Sequence, residues 1–187
     1  MDIIKSLIPF TTFLLGIILA PYVESRKEKE KIKTLKKSIF TELEDELSIL
    51  EKSIKTTSKS IKKRTFKPKD FQYISLGKTF EPIILEKNID NIYSYYNRDT
   101  RIALKNVLLL SKQIKSKYDY VSENWKVDNY SCKAKEESML FSMLSVYYVI
   151  NKILQERERF ILANIPNEKI VEIAANALQV PVPFKAP

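Results

Sequence analysis

The clearest pattern in the chain is an apolar stretch near the N-terminus that changes abruptly into a charged one. Residues 7–23 (LIPFTTFLLGIILAPYV) carry no charged side chain, whereas ten of the fourteen residues in 24–37 are charged. A helix rises about 1.5 Å per residue, so the apolar stretch spans roughly 25 Å, slightly less than the ~30 Å hydrocarbon core of a bilayer. We therefore interpret residues 1–23 as a single N-terminal transmembrane helix. The side chains expected to contact lipid are Leu7, Phe10, Phe13, Leu14, Leu15, Ile17, Ile18 and Leu19.

Two other interpretations of this stretch are a cleaved signal peptide and a helix buried in a protein core. A signal peptide is disfavoured because Leu19-Ala20-Pro21 lacks a small-x-small cleavage site and places a proline directly after Ala20. A core helix is compatible with the modest length of the stretch.

The basic residues on the two sides of the stretch predict its orientation. Only Lys5 precedes it, whereas seven basic residues follow within 24–37. Because basic residues stay on the cytoplasmic side, we expect the N-terminus outside and residues 24–187 at the cytoplasmic face of the cell membrane. The residues expected to contact anionic lipid, here called the basic collar, are Arg26, Lys27, Lys29, Lys31 and Lys33. The collar could also serve as a topology signal alone.

A helical pattern follows the basic collar. No proline or glycine occurs between Val23 and Lys67, and apolar residues recur at three- and four-residue steps, with one seven-residue step. This spacing predicts a long helix over about 24–64 with one apolar face. The face must be covered by other helices of the chain or, as in a coiled coil, by a second copy. It consists of Ile32, Leu35, Ile39, Leu43, Leu47, Leu50, Ile54 and Ile61.

The remaining sequence predicts shorter helices, and no stretch shows strand-like alternation. Thr79 is expected to cap the second helix, and the polar residues 97–101 are a candidate kink or break in it. Pro166 is expected to end the third. We predict an all-α fold, in which the transmembrane anchor precedes a cytoplasmic antiparallel bundle of long helices over residues 24–187. The predicted elements after the long helix are a loop at 65–78, helices at about 79–125 and 133–164, and a short C-terminal helix with a Pro-rich tail at 166–187.

Composition limits the chemistry that the chain can perform. It has no histidine, two glycines and one cysteine, which excludes histidine-based catalytic triads, phosphate-binding loops and zinc or iron–sulfur sites built by this chain alone. The acidic run over residues 42–51 lacks the histidine partners of a carboxylate metal site, so we expect a solvated surface. Cys132 is expected to be passive. We therefore expect no catalytic residue, no cofactor, no metal and no small-molecule substrate.

Positive charge is concentrated after the anchor. The chain carries a formal charge of +9, and residues 24–69 hold 15 basic and 8 acidic side chains. A second basic cluster, from Lys52 to Lys69, contains no acid, and its candidate contacts for lipid or another polyanion are Lys59, Lys62, Lys63 and Arg64. If the long helix stands upright, the cluster faces the cytoplasm; if it lies on the bilayer, the cluster contacts lipid. Nucleic acid is disfavoured because few aromatic residues are interleaved and no binding module is recognisable.

These patterns favour a membrane-anchored helical interaction or scaffold protein without catalytic activity. Its expected partners are the lipid bilayer and an unidentified protein, or a second copy of the chain bound through the long helix. The alternative is a membrane-perturbing or pore-forming effector, for example in a bacterial defence or toxin system, that oligomerises through its anchor. Thr12 and Gly16 have the small-xxx-small spacing of helix contacts in lipid. Heavy use of Lys, Ile and Asn is typical of AT-rich genomes and favours a bacterial source.

Overall fold

The computed structural model of the protein describes residues 2–66 and 75–184, without the side chains of residues 2–12 and 14. All regular elements in these ranges are helical, which confirms the predicted all-α class. The described ranges contain five α-helices. A 3-10 turn follows the second of them at Tyr93–Tyr95, and another follows the fourth at Arg157–Arg159. The helices are α1 (Asp2–Phe66), α2 (Ile83–Ile92), α3 (Arg98–Asn124), α4 (Asn129–Glu156) and α5 (Asn167–Leu178).

The chain divides into two compact units, residues 1–39 and residues 40–187. Helix α1 belongs to both, and its first part is the described content of the N-terminal unit. The C-terminal unit contains the rest of α1 together with α2 to α5. The helical bundle is therefore a property of the C-terminal unit.

Helices α1 and α4 run antiparallel in the bundle. Arg64 of α1 contacts Glu136 of α4, and Thr57, two turns earlier on α1, contacts Met143, two turns later on α4. Contacts that descend along one helix while they ascend along the other require opposite directions. Helices α3 and α4 are related in the same way, and the predicted antiparallel arrangement is observed for both pairs.

The amino groups of two lysines join α3 to α4. Lys117 of α3 is half-buried and donates a hydrogen bond to the hydroxyl of Ser142, and Lys135 of α4 lies 5.4 Å from the ring centre of Tyr120. Burial lowers the pKa of Lys117, and the nearby charge of Lys135 adds to this effect. The α3–α4 contact therefore contains two ammonium groups at its edge.

The predicted apolar face of α1 forms part of the bundle core. Leu43, Leu50 and Ile54 are fully buried, whereas Leu47 and Ile61 are half-buried. The other helices contribute the large buried apolar side chains Leu85, Ile92, Leu104, Val107, Ile114, Val121, Met139, Leu140, Met143, Leu144, Ile150, Ile153, Val171 and Leu178. The covering of α1 by other helices of the same chain is thus observed within the C-terminal unit.

Polar side chains occupy the seven-residue step in the apolar face of α1. Between Ile54 and Ile61, the side chains of Thr57, Ser58 and Ser60 are buried. Because three and four residues correspond to about one helical turn, these positions continue the same face of α1. The buried face of α1 is therefore apolar up to Ile54 and largely polar after it, with the same helical spacing throughout.

The predicted second helix is two helices with an N-cap between them. The Oδ1 atom of Asn97 accepts a 2.7 Å hydrogen bond from the backbone N–H of Thr100, which starts α3. An interruption is therefore present, but it lies at residues 93–97 and not at 97–101, because α3 already begins at Arg98. The prediction that Thr79 caps the first of them was wrong. Helix α2 begins at Ile83, and the Thr79 hydroxyl donates instead to the carboxylate of Glu81.

Helix α4 begins earlier and ends earlier than the predicted helix at 133–164. It begins after Asp128, whose carboxylate accepts a 2.9 Å hydrogen bond from the N–H of Ser131. It ends at Glu156, and the next residue, Arg157, has a φ of 53°, so Pro166 does not end this helix. Pro166 lies directly before α5 instead, where a missing N–H is tolerated. The observed bounds of α5 match the predicted short helix.

Gly77 brings the segment before α2 close to the backbone of α1. A Cβ atom at this position would overlap the Cα, Cβ and Oγ atoms of Ser53. The Ser53 hydroxyl in turn donates a 2.8 Å hydrogen bond to the carbonyl of Lys78. Only glycine fits this approach, which holds residues 77–78 against α1 at Ser53.

We expect Leu50→Asp to lower the free energy of unfolding by about 3 kcal/mol or more, because Leu50 is fully buried and the new carboxylate would have no partner. Denaturant unfolding of the full chain measures the effect. Ser48→Asp is the matched control, since Ser48 lies two residues before Leu50 on the exposed side of α1 and should change stability by less than about 0.5 kcal/mol. Equal stability of the two variants would contradict the assigned core.

We expect Gly77→Ala to destabilise the bundle by about 1–3 kcal/mol, because the methyl group would force the segment away from Ser53. Gly16→Ala is a suitable control. A Cβ atom at Gly16 meets nothing within 4 Å, and alanine favours a helix over glycine by about 1 kcal/mol. Thermal melting should therefore fall for the first variant and not for the second.

Candidate functional site on helix α1

Apolar side chains of the predicted anchor are exposed on the N-terminal unit. Phe13, Leu15, Ile17, Ile18 and Leu19 retain between 52% and 69% of their accessible surface. The other three predicted anchor side chains, at Leu7, Phe10 and Leu14, lie outside the described residues. The five described side chains are therefore not part of a core of this chain, and a run of exposed apolar residues indicates a contact surface.

Among the residues that the structure describes, no helix is both long and apolar enough to cross a membrane. The predicted transmembrane helix over residues 1–23 is therefore not confirmed.

The basic collar is exposed along its whole length, in agreement with a surface role. Acidic side chains are interleaved with it, at Glu24, Glu28 and Glu30, and are exposed as well. The positive potential of the collar is consequently weaker than its five basic residues alone would produce. The exposed collar residues are Arg26, Lys27, Lys29, Lys31 and Lys33.

The second basic cluster divides between the surface and the core. Lys59, Lys62 and Lys63 are exposed, as a contact with a polyanion requires. Arg64 is 1% exposed and lies in the bundle, so the prediction that it contacts lipid or a polyanion needs correction. The correction follows from helix geometry, because Arg64 is one turn after the buried Ser60 and faces the same way.

Two of the exposed lysines line a cleft of about 470 Å³ on the C-terminal unit, here called the basic cleft. Lys59 and Lys62 form one wall with Lys55 and Ser58, and residues 177–181, at the end of α5 and directly after it, form the other. Lys55 is paired with Glu51 at 2.6 Å. Lys59 and Lys62 form no ion pair with a described residue. Among the described residues, the positive charge of Lys59 and Lys62 in the cleft is therefore uncompensated.

Beneath this surface, Arg64 and Glu136 form a buried ion pair. The Arg64 Nε atom is 3.0 Å from Oε2 of Glu136, and both side chains are fully buried. The second oxygen of Glu136, Oε1, accepts a 2.9 Å hydrogen bond from the Ser60 hydroxyl. The Nη1 group of Arg64 donates a hydrogen bond to Oδ1 of Asn129, with 3.0 Å between the two atoms. The four side chains form one polar network inside the bundle.

Burial and charge act in opposite directions on this network. Burial raises the pKa of Glu136, while the Arg64 charge and the hydrogen bonds from Ser60 and Arg64 lower it. Cys132, one turn before Glu136, is buried too, and burial raises the pKa of its thiol. A cysteine whose thiolate is disfavoured is a poor nucleophile.

The acidic run on α1 does more than face solvent. The carboxylate of Glu42 accepts hydrogen bonds from the N–H groups of Ile84 and Leu85, over 2.5 Å and 2.8 Å, and so caps the N-terminus of α2. Glu46 accepts a 3.2 Å bond from the N–H of Glu81. Burial raises the pKa of Glu46, and this bond partly offsets the effect. The expected solvated surface was thus an incomplete prediction.

Within the ranges that the structure describes, no three Cys, Asp or Glu side chains are grouped so that they could hold a metal ion. Glu44 of the acidic run is paired across the bundle with Arg157 at 2.6 Å. These carboxylates therefore cap a helix or form ion pairs.

Sequence reasoning missed the polar network, although one signal was present. The apolar face of α1 continues in phase from Ile54 through Thr57 and Ser60 to Arg64. Arg64 is a basic residue that has the spacing of a buried face and is preceded on that face by two short hydroxyl residues. This pattern indicates a buried cation. Its partner Glu136 could be found only by pairing α1 with α4.

Comparison with known proteins gives no relative for this chain. No protein-family model matches it, and neither a curated protein nor a solved structure is significantly similar. The function must therefore be argued from the residues and the geometry.

We expect Glu136→Ala to cost about 3–5 kcal/mol of unfolding free energy, because it removes the carboxylate that faces a buried guanidinium. The double variant Arg64→Met with Glu136→Leu should lie within about 1 kcal/mol of the parent chain or above it, since it removes both charges together. Denaturant unfolding of the single and double variants measures the coupling.

The exposed pair Lys112–Glu86, at 2.8 Å, provides the matched control. Glu86→Ala should cost less than about 1 kcal/mol, because both side chains remain largely in water. A similar small effect for Glu136→Ala would show that Arg64 and Glu136 are not buried together.

Proposed function

We propose that the protein is a helical interaction or scaffold protein without catalytic activity, tethered to a membrane by the N-terminal part of α1. The observation that carries this proposal is the run of exposed apolar side chains between Phe13 and Val23, followed at once by an exposed basic collar. Transfer of apolar surface from water into lipid lowers the free energy, and basic side chains next to that surface are attracted to anionic headgroups.

We propose further that residues 40–187 face the cytoplasm in a single-pass arrangement. The support is the distribution of charge, with one basic residue before the apolar stretch and seven directly after it. The bundle would then present the exposed lysines of the basic cleft to a cytoplasmic partner. A role without catalysis agrees with a composition that lacks histidine and has a single cysteine, which is buried.

Membrane attachment predicts how the protein fractionates after cell lysis. The full chain should stay with membranes through high-salt and alkaline carbonate washes, because apolar contacts survive both treatments. Ile17→Asp with Ile18→Asp should move it to the soluble fraction, since both side chains are exposed and needed only for contact with lipid. Ile161→Asp with Ile173→Asp, at exposed positions of the C-terminal unit, is the control and should stay with membranes.

Orientation and the alternative function need separate measurements. A reporter that is active only in the cytoplasm should work when it is fused after Pro187, and a periplasmic reporter should not. Cells that express the chain should keep their membrane potential, as reported by a potential-sensitive dye. Collapse of the potential would favour the pore-forming effector, and a soluble parent chain would contradict membrane tethering itself.

A further inference from the structure

A second cleft adjoins the basic cleft on the C-terminal unit. This apolar cleft encloses about 500 Å³ and lies among the end of α1, the first half of α4 and the segment after α5. The two clefts have Ser58, Lys62 and Pro181 in common. Each volume falls within the range of small-molecule sites, about 300–1,000 Å³. The apolar lining includes Ile61, Phe66, Leu140, Pro181, Val182 and Phe184.

The aromatic side chains that line the apolar cleft are largely exposed to solvent. Phe66 is 77% exposed and Phe184 is 62% exposed, although both line a concave surface. Phe184 also has a φ of 64°, in the left-handed region that a phenylalanine rarely adopts. Large apolar side chains left exposed around a cleft are typical of a binding groove. The groove would accept an apolar group.

Charge in the joined clefts is concentrated at one place. In the apolar cleft, Lys133 lies 4.0 Å from Glu137, so these two charges compensate each other. In the basic cleft, Lys55 is compensated by Glu51. The exposed Lys59 and Lys62 remain without a described acidic partner, and Lys62 lines both clefts. The uncompensated positive charge therefore lies where the basic and apolar clefts meet.

We propose that the two clefts form one binding site for an anionic lipid with a single acyl chain. The anionic headgroup contacts Lys59 and Lys62, and the acyl chain lies along Ile61, Phe66 and Phe184. A small inorganic anion would use only the basic cleft, and an uncharged hydrocarbon would use only the apolar one. An amphiphile with one negative end satisfies both surfaces. The site lies within residues 40–187 and does not depend on how residues 7–23 interact with a membrane.

Native mass spectrometry of the full chain in a neutral detergent tests the proposal. We expect one palmitoyl lysophosphatidylglycerol to bind per chain, and lysophosphatidylcholine, whose headgroup has no net charge, to bind at least about tenfold more weakly. Lys59→Gln with Lys62→Gln should weaken binding of the anionic lipid about tenfold and leave the zwitterionic lipid unchanged. Phe66→Ser with Phe184→Ser should weaken binding of both lipids.

Matched variants control for charge and for exposed apolar surface. Lys87→Gln with Lys126→Gln removes the same charge from exposed positions outside the clefts, and Leu109→Ser removes an exposed apolar side chain on α3. Neither control should change lipid binding. All substituted positions are exposed, and unchanged melting curves confirm that each variant is folded.

Photolabelling of the parent chain locates the bound lipid independently of any variant. A lysophosphatidylglycerol with a photoreactive acyl chain should label residues 61–66 and 180–184. Labelling confined to residues 13–37 would overturn the proposal, because the lipid would then be held by the N-terminal unit. It would also be overturned if inorganic phosphate displaced the lipid completely while Phe66→Ser with Phe184→Ser had no effect, which would indicate a small-anion site.

Discussion

The buried ion pair between Arg64 and Glu136 is the constraint on which the arrangement of α1 depends. A buried guanidinium needs a carboxylate to compensate its charge. One oxygen of Glu136 accepts a hydrogen bond from Arg64 and the other accepts one from Ser60. A shift of α1 by one residue would move these groups by about 1.5 Å and turn them by about 100°. Both hydrogen bonds would be lost, so the pair admits one register between α1 and α4.

The position of the exposed lysines follows from that register. Because Ser60 and Arg64 face the core, the intervening Lys62 and Lys63 and the preceding Lys59 must face outward. The orientation of α1 is fixed a second time at Ser53, where Gly77 permits close contact between the two backbones. The surface charge of the second basic cluster is thus set by contacts made inside the bundle.

Periodicity predicted those parts of the fold that depend on local sequence. The apolar spacing of Leu43, Leu50 and Ile54 identified the buried face of α1, and Pro166 before a short apolar pattern placed α5. It failed where a partner distant in sequence decides the outcome. Arg64 was assigned to the surface because its neighbours are lysines, and the cap of α2 was assigned to Thr79, although Glu42 supplies it. Exposure of the lysines was predictable, whereas the cleft that contains them was not.

The cleft depends on how the chain leaves α5. Gln179 has a φ of 55°, and the N–H groups of Gln179 and Val180 bond back to the carbonyls of Asn176 and Ala175. This turn places residues 180–184 opposite the end of α1, where they form a wall of both the basic and the apolar cleft. Two prolines restrict the backbone of that wall. The N-terminal apolar surface and the clefts belong to separate units, so the membrane contact proposed for the first and the lipid site proposed for the second can be tested independently.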